Sequence, residues 1–211
     1  PPELMDFLNQ GRGVNISDIS VNPNDDNEIL IAVSNYTVTL TNGQVRNDFN
    51  LWWTKNAKSA TPQWYKVEGN LSLPSVRSCM IVVKKEGNNS VTEYYAGTSV
   101  GLYSTVNISN AINTGSPVTW VREGGNIINY AVISSMDYRP SDNVLLVGTH
   151  GNGLYYSNIG SPDYQFDIPT GLPEPDRNDK NFIERMYPTV AGSSINFVTG
   201  NMFTVSKLNI K

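Results

Sequence analysis

The chain holds one histidine, His150, in Thr149-His150-Gly151-Asn152-Gly153. An imidazole does acid–base work only beside a nucleophile or a positioned carboxylate, and no such pairing is legible around it. The neighbouring glycines do not form a phosphate loop, because no helix follows and the spacing is wrong. His150 therefore reads as a turn residue and stands only as a ligand-binding candidate. Glycoside hydrolysis would need two carboxylates set ~5–10 Å apart across a cleft. Asp18, Asp48, Glu93, Asp137 and Asp142 are the acids to consider. Asp18 and Asp137 fall on first strands of repeated units, where both are expected to face one channel, and they are the catalytic candidates if the chain is an enzyme. Asp142, in Pro140-Ser141-Asp142-Asn143, is expected to cap its own turn. The oxygen-rich stretch 22–27 lacks the spacing and the glycine of a calcium loop, so it reads as a turn and no metal is expected. Trp52 and Trp53 are adjacent on a strand and must point to opposite faces. One belongs to the core, and the other is free to stack on a sugar or a neighbouring sheet. Trp64 and Trp120 recur at one place in the repeat and are expected to pack. No motif calls for a cofactor.

The elements that carry these residues follow from composition and punctuation. Charged residues make up only 16% of the 211, while Asn, Ser, Thr and Gly are abundant, as suits short strands and turns rather than helices. No window of 11 or more residues keeps a helical period, and the best stretch, 4–8, is too short to nucleate a helix. The net charge is −4 and the basic residues are scattered, which leaves no stripe for a nucleic acid backbone. No apolar run reaches membrane-span length. The single cysteine, Cys79, has no intrachain disulfide partner and lies in an apolar alternation, so a buried free thiol is expected. N-x-S/T triplets at Asn15, Asn35, Asn70, Asn88 and Asn107 say only that the surface is rich in Asn and Ser.

One unit occurs three times. Its clearest copy covers 133–157: a strand, the turn Arg139-Pro140-Ser141-Asp142-Asn143, a buried strand at 144–148, the turn Gly151-Asn152-Gly153, and an aromatic strand. A poorer fourth strand follows at 164–168. Copy one runs from Ile16 through the buried run 29–33, the Asn42-Gly43 hairpin turn, Leu51-Trp52-Trp53-Thr54 and 63–67. Copy two runs from Val76 through Tyr94-Tyr95-Ala96-Gly97-Thr98 and Gly101-Leu102-Tyr103-Ser104 to 119–122. Ala96-Gly97-Thr98 matches Val147-Gly148-Thr149 at an offset of 51, and Leu51-Trp52-Trp53-Thr54 matches Leu154-Tyr155-Tyr156-Ser157 at 103. In this alignment Ser99 and Asn35 occupy the place of His150. Four strands per unit at a period near 50 predict an all-β fold of β-propeller blades. The expected divisions are a lead-in at 1–15, blades at 16–72, 73–129 and 130–172, a linker at 173–185 and a further β segment at 186–211. Three blades leave open edges, so the unit is expected to belong to a larger ring, with more blades before the abrupt Pro1-Pro2-Glu3 start.

Leu71-Ser72-Leu73-Pro74-Ser75-Val76-Arg77-Ser78, Tyr95-Ala96-Gly97-Thr98 with Gly101-Leu102-Tyr103-Ser104, and Gly148-Thr149-His150-Gly151-Asn152-Gly153-Leu154 resemble the last blades of bacterial secreted propellers. These are propellers of the Asp-box, sortilin-like and xyloglucanase-like group, and the resemblance spans about 16–168. The family's Ser-x-Asp-x-Gly-x-Thr-Trp turn survives only as a frame, in Thr54 with Trp64 and in Ser104 with Thr119-Trp120. The tail from Met186-Tyr187-Pro188 to Lys211 resembles the first half of the C-terminal sorting domain of type IX secretion substrates, with Tyr187-Pro188-Thr189-Val190 replacing the usual Tyr-Pro-Asn-Pro. The resemblance implies a Bacteroidetes protein, secreted or attached to the outer-membrane surface by the type IX machinery. The degenerate turns and the lack of a legible catalytic set make a binding or adhesion scaffold, with a protein or glycan ligand at the propeller face, the expected function. The alternative is a xyloglucanase-like or sialidase-like glycoside hydrolase whose site lies largely outside this chain.

Overall fold

The computed structural model describes residues 15–34, 38–39, 43, 45–46, 49–71, 74–86, 89–161, 164–167, 183–187, 194–199 and 202–209. Asp48, Asn35, Asn88, the stretch 4–8 and positions 173–182 of the expected linker lie outside them. The chain forms two compact units, Pro1–Ile168 and Pro169–Lys211. The first unit is built from three antiparallel sheets in chain order. The first sheet comprises β1 (Ile16–Asn22), β2 (Asp25–Val33), β5 (Leu51–Thr54) and β6 (Tyr65–Lys66), in the order β1-β2-β5-β6. Between β2 and β5 the short β3 (Val38–Thr39) and β4 (Val45–Arg46) pair as a hairpin around Gly43, whose φ of 81° suits glycine. The second sheet is β7 (Val76–Glu86), β8 (Asn89–Thr98), β9 (Gly101–Thr105) and β10 (Val121–Arg122), again a plain meander. The third is β11 (Ile133–Arg139), β12 (Val144–Thr149) and β13 (Leu154–Asn158). A lone bridge from Tyr156 to Asp167 stands where its fourth strand was expected.

The three sheets stack face to face. Alternation sends Leu30, Ala32 and Trp53 of the first sheet against Cys79, Ile81, Tyr94 and Ala96 of the second. The other face of the second sheet, through Val82, Tyr95 and Leu102, packs on Ile133, Leu145, Val147 and Tyr155 of the third. The first strands are neighbours, since β7 touches both β1 and β11. Among the described residues no sheet curls round to close on itself.

Sheet register shows why the unit repeats. Each first strand opens with a bulge, between Ile16 and Asp18, Val76 and Ser78, and Ile133 and Ser135. The amides of Ser34, Ser99 and His150 then donate to the carbonyls of Asn15, Ser75 and Val132, one residue before each first strand. His150 therefore corresponds to Ser34, not to Asn35 as sequence alignment suggested. The Gly-Thr pair has a steric cause. A Cβ on Gly97 would land on Ser78 Oγ and come within 2.7 Å of Ile133 Cγ2, and one on Gly148 would lie 2.8 Å from Ser135 Oγ. The threonine makes the next turn: Thr98 Oγ1 donates to Gly101 O at 2.8 Å and Thr149 Oγ1 to Gly153 O at 2.7 Å.

Two short helices were not expected. In α1 (Ile108–Thr114), Ile108 and Ala111 are buried and Gly115, at φ 67°, ends the helix. The second, α2 (Gly125–Ile128), is a single turn. The second compact unit contains β14 (Ile183–Tyr187), β15 (Ser194–Thr199) and β16 (Met202–Asn209), an antiparallel meander in the order β14-β15-β16. Its first strand also carries a register shift, between Ile183 and Arg185.

Candidate functional site: a cleft at the rim of the first two sheets

Between the outer end of the first sheet and α1 lies a cleft of about 300 Å³, lined by Trp53, Lys55, Asn56, Gln63, Tyr65, Ser109, Ile112 and Asn113. Strand β5 supplies Trp53, the turn after it Lys55 and Asn56, the entry to β6 Gln63 and Tyr65, and α1 the rest. A tight turn fixes the polar side. Thr54 Oγ1 donates to Asn56 Oδ1 at 3.0 Å, and the Gln63 amide donates to the same oxygen at 2.8 Å. The neighbouring sheet repeats this device, with Thr105 Oγ1 donating to Asn107 Oδ1 at 2.8 Å. Tyr65 Oη donates to Gln63 Oε1 at 3.1 Å, and the Tyr65 ring leans on Trp53 with centroids 6.0 Å apart.

Behind the cleft stands a buried carboxylate, Glu28, 2% exposed. Burying an ionised carboxylate is costly unless its oxygens are bonded. Here Asn22 Nδ2 donates to Oε2 at 2.6 Å, while Trp53 Nε1 at 2.9 Å and Tyr94 Oη at 2.5 Å both donate to Oε1. Tyr94 belongs to the second sheet, so Glu28 ties the two sheets together and locks the Trp53 indole from behind. Burial first, and then the bond to Glu28, push the Tyr94 phenol far above its ordinary range, keeping it a donor. A second tie lies beside it: Trp120 Nε1 donates to Val67 O at 2.8 Å, and Asn70 and the Trp120 backbone exchange bonds of 2.9 and 2.8 Å.

Most residues singled out from sequence lie elsewhere. Asp18 Oδ2 accepts the Cys79 amide at 3.0 Å and its Oδ1 accepts the Ile19 amide at 2.9 Å. Asp137 is exposed and accepts the Tyr138 amide at 2.8 Å. The two acids are not equivalent in register, because Asp18 faces Ala32 while Asp137 matches Ser20. Their strands are each in contact with β7, and each carboxylate accepts a backbone amide. Trp52 is core: its Nε1 donates to Phe49 O at 3.0 Å and the Phe49 ring meets it edge-on. Trp53, on the opposite face as expected, is 3% exposed and forms the back wall of the cleft. Trp64 packs against the outer face of the first sheet, and Trp120 is buried on the matching face of the second.

His150 lies exposed in the β12–β13 turn, away from the cleft. Asp142 is in a two-bond ion pair with Arg139, at 2.8 and 2.7 Å, and the hydrogen bond from Arg139 holds its carboxyl below the usual range. Glu93 lies beside Lys84 Nζ at 3.0 Å. In the 22–27 turn, Asn22 Oδ1 and Asp25 Oδ1 accept the amides of Asn24 and Asn27, at 2.8 and 3.1 Å. Among the described residues no cluster of three or more His, Cys, Asp or Glu could hold a metal, and no helix is long and apolar enough to cross a membrane. Sequence reasoning missed Asn56, Gln63, Tyr65, Ser109 and Asn113. The readable signals were Thr-x-Asn at both 54–56 and 105–107, and the lone Glu28 ahead of an apolar run.

No family model matches the chain, and no curated protein matches it. Two solved structures align with it. "COPII on membranes, outer coat vertex" aligns at TM-score 0.40 and 12% identity over 93% of this chain and 58% of that one. "The structure of the COPII coat assembled on membranes" aligns at 0.40 and 13% over 93% and 32%. The chain thus spans less than two thirds of either.

Proposed function

We propose that residues 15–167 are blades of a β-propeller-type binding scaffold, and that the rim cleft is one of its ligand sites. The observation that carries this reading is the repeated unit. Three stacked meanders share one bulge, one Gly or Ala opposite it, and one inter-strand amide bond, and such strict repetition supports a repeated blade. The Thr54-x-Asn56 and Thr105-x-Asn107 turns supply the hydroxyl-to-side-chain bond of a Ser-x-Asp turn with an amide in place of the acid. A binding role is supported because the described cleft lining offers hydrogen bonds and aromatic surface, and includes no carboxylate, histidine or thiol.

The tail has two readings. Its sequence resemblance favours a type IX sorting domain and surface display. The register shift between Ile183 and Arg185, matching those of the three sheets, favours a fourth meander of the same repeat. Deleting 183–211 in a secreting host separates them: lost surface display supports the sorting domain, and retained display with a lowered melting midpoint supports the fourth meander. For the scaffold itself the test is glycan-array and pull-down binding of the whole chain. Saturable binding without turnover is expected, and polysaccharide hydrolysis at enzymatic rates would overturn the reading.

A further inference from the structure

Resting on the blade reading of the repeat, we infer that two copies of this chain associate head to tail, the third sheet of each docking on the first sheet of the other. Both junctions inside the chain join the same two kinds of face. The earlier sheet offers the face that carries Ala32 or Gly97, and the later sheet offers the face that carries Cys79 and Ile81, or Ile133. The third sheet repeats the first kind of face with Leu146, Gly148, Leu154 and Tyr156. The first sheet repeats the second kind with Ile16, Ile19 and Val21. Both are uncovered: Ile16 is 49% exposed, Ile19 55%, Val21 46% and Leu154 43%. A repeat that ends a stack in water presents a polar outer face, and these two faces are apolar.

The two faces match position by position. In the second junction Ile133 closes on Gly97, its Cγ2 2.7 Å from where a Cβ would stand. Ile16 holds the register place of Ile133, and Gly148 that of Gly97. Among the described residues only Ser135 comes within 4 Å of a Cβ built on Gly148. One copy thus has a hole without its isoleucine and an isoleucine without its hole, and a second copy supplies both. The polar groups agree. Asp18 takes the Ile19 amide with Oδ1 and, across the junction, the Cys79 amide with Oδ2. Asp137 takes the Tyr138 amide with Oδ1 in the same way, leaving Oδ2 unbonded among the described residues. Its register place is that of Ser20, which caps the Ile81 amide, and the counterpart of Ile81 is Val21. Asp137 of one copy therefore caps the Val21 amide of the other. Two copies of three meanders also fall within the ~4–8 blades of closed propellers, whereas one copy or three do not.

The test is sedimentation equilibrium of the whole chain, and the expected mass is twice the 23.3 kDa of one copy. Ile16→Asp and Leu154→Lys alter the two faces at exposed positions, so both variants should keep the parent's circular dichroism. Each should raise the dissociation constant at least about tenfold, as loss of a buried aliphatic contact requires. Mixed in equal amounts, the two variants should associate more tightly than either does alone, because the mixed pair keeps one contact unaltered. Asp137→Ala should weaken the dimer about tenfold and speed hydrogen exchange at the Val21 amide. A chain that stays at 23.3 kDa at every concentration overturns the inference, and a melting midpoint lowered by Leu154→Lys would then assign the face to a segment of the same chain. A dimer indifferent to both substitutions overturns the location. One broken by Leu154→Lys but not by Ile16→Asp pairs like faces and overturns the head-to-tail arrangement, and species that keep growing with concentration overturn the closed ring. A monomer that still captures a ligand refutes this inference alone, and one that binds nothing refutes the scaffold reading with it.

Discussion

The two junctions between the stacked sheets bury similar groups by different means. Between the first and second sheets, Glu28 is satisfied by three neutral donors. The outer amides of β7 are capped there as well, Cys79 by Asp18 and Ile81 by Ser20 Oγ at 2.8 Å. On the face of the second sheet that meets the third, Glu93 of β8 and Lys84 of the neighbouring β7 form a buried ion pair within that sheet. The Glu93 Oε2 is close to the ammonium but outside hydrogen-bond geometry. At that junction the capping positions hold Ser78, whose Oγ has no partner among the described residues, and Met80, which has no oxygen to offer. The close approach of Ile133 to Gly97 takes the place of the stitching. One junction is stitched by directional bonds and the other is packed around one charge pair. Stitching fixes the relative position of two sheets, and the rim cleft forms where the position is fixed.

Breaking the ion pair gives the largest expected effect. Lys84→Met should cost about 3–5 kcal/mol in urea unfolding, because Glu93 is left buried beside a methyl group. Lys84→Met with Glu93→Leu should regain most of that loss, since an apolar pair of similar volume fits such a site. A double variant as unstable as the single one would mean that the pair contributes through its directional geometry and not through charge balance alone. Glu28→Gln should cost about 2 kcal/mol, because Gln keeps an acceptor oxygen for Trp53 and Tyr94 while its NH₂ faces the Asn22 NH₂, donor against donor. Tryptophan fluorescence should shift as the Trp53 indole exchanges a charged acceptor for a neutral one.

Alkaline pH probes both junctions together. Burial, before any charge effect, pushes the phenols of Tyr94, Tyr95 and Tyr164 above the ordinary 10.0. The fold favours their protonated forms, so their stabilising contribution is complete below pH 10 and declines as the pH rises above it. Urea midpoints measured across that range should fall, and a flat profile would place these rings in water. Burial likewise raises the Cys79 thiol, so alkylation at neutral pH should be slow until the chain unfolds. The smallest effect belongs to Asp142→Asn: the Arg139 pair is exposed, and no resolvable change in midpoint is expected.

The repeat was legible because turn residues and apolar runs recur in the sequence, and all three meanders lie where their punctuation put them. What the recurring glycines do was not legible. Gly97 and Gly148 sit opposite a bulged serine, and a bulge leaves no mark in an alignment of single letters. The α1 helix was missed because Ile108, Ala111 and Ile112 span barely two turns, too few to show a period. For the site, the opposite faces of Trp52 and Trp53 followed from strand geometry alone. The Glu28 centre did not: its donors Asn22, Trp53 and Tyr94 are spread over three strands and two sheets, and only stacking brings them together.

The direct test of that stacking is native-state hydrogen exchange at the Cys79 and Ile81 amides, which point away from β8 toward β1. The account predicts that both are protected in the parent chain. Asp18→Ala should speed exchange at Cys79 by about tenfold, the value of one buried hydrogen bond, and leave Ile81 slow. Exchange at open-chain rates in the parent, or a Cys79 amide indifferent to Asp18→Ala, would contradict it.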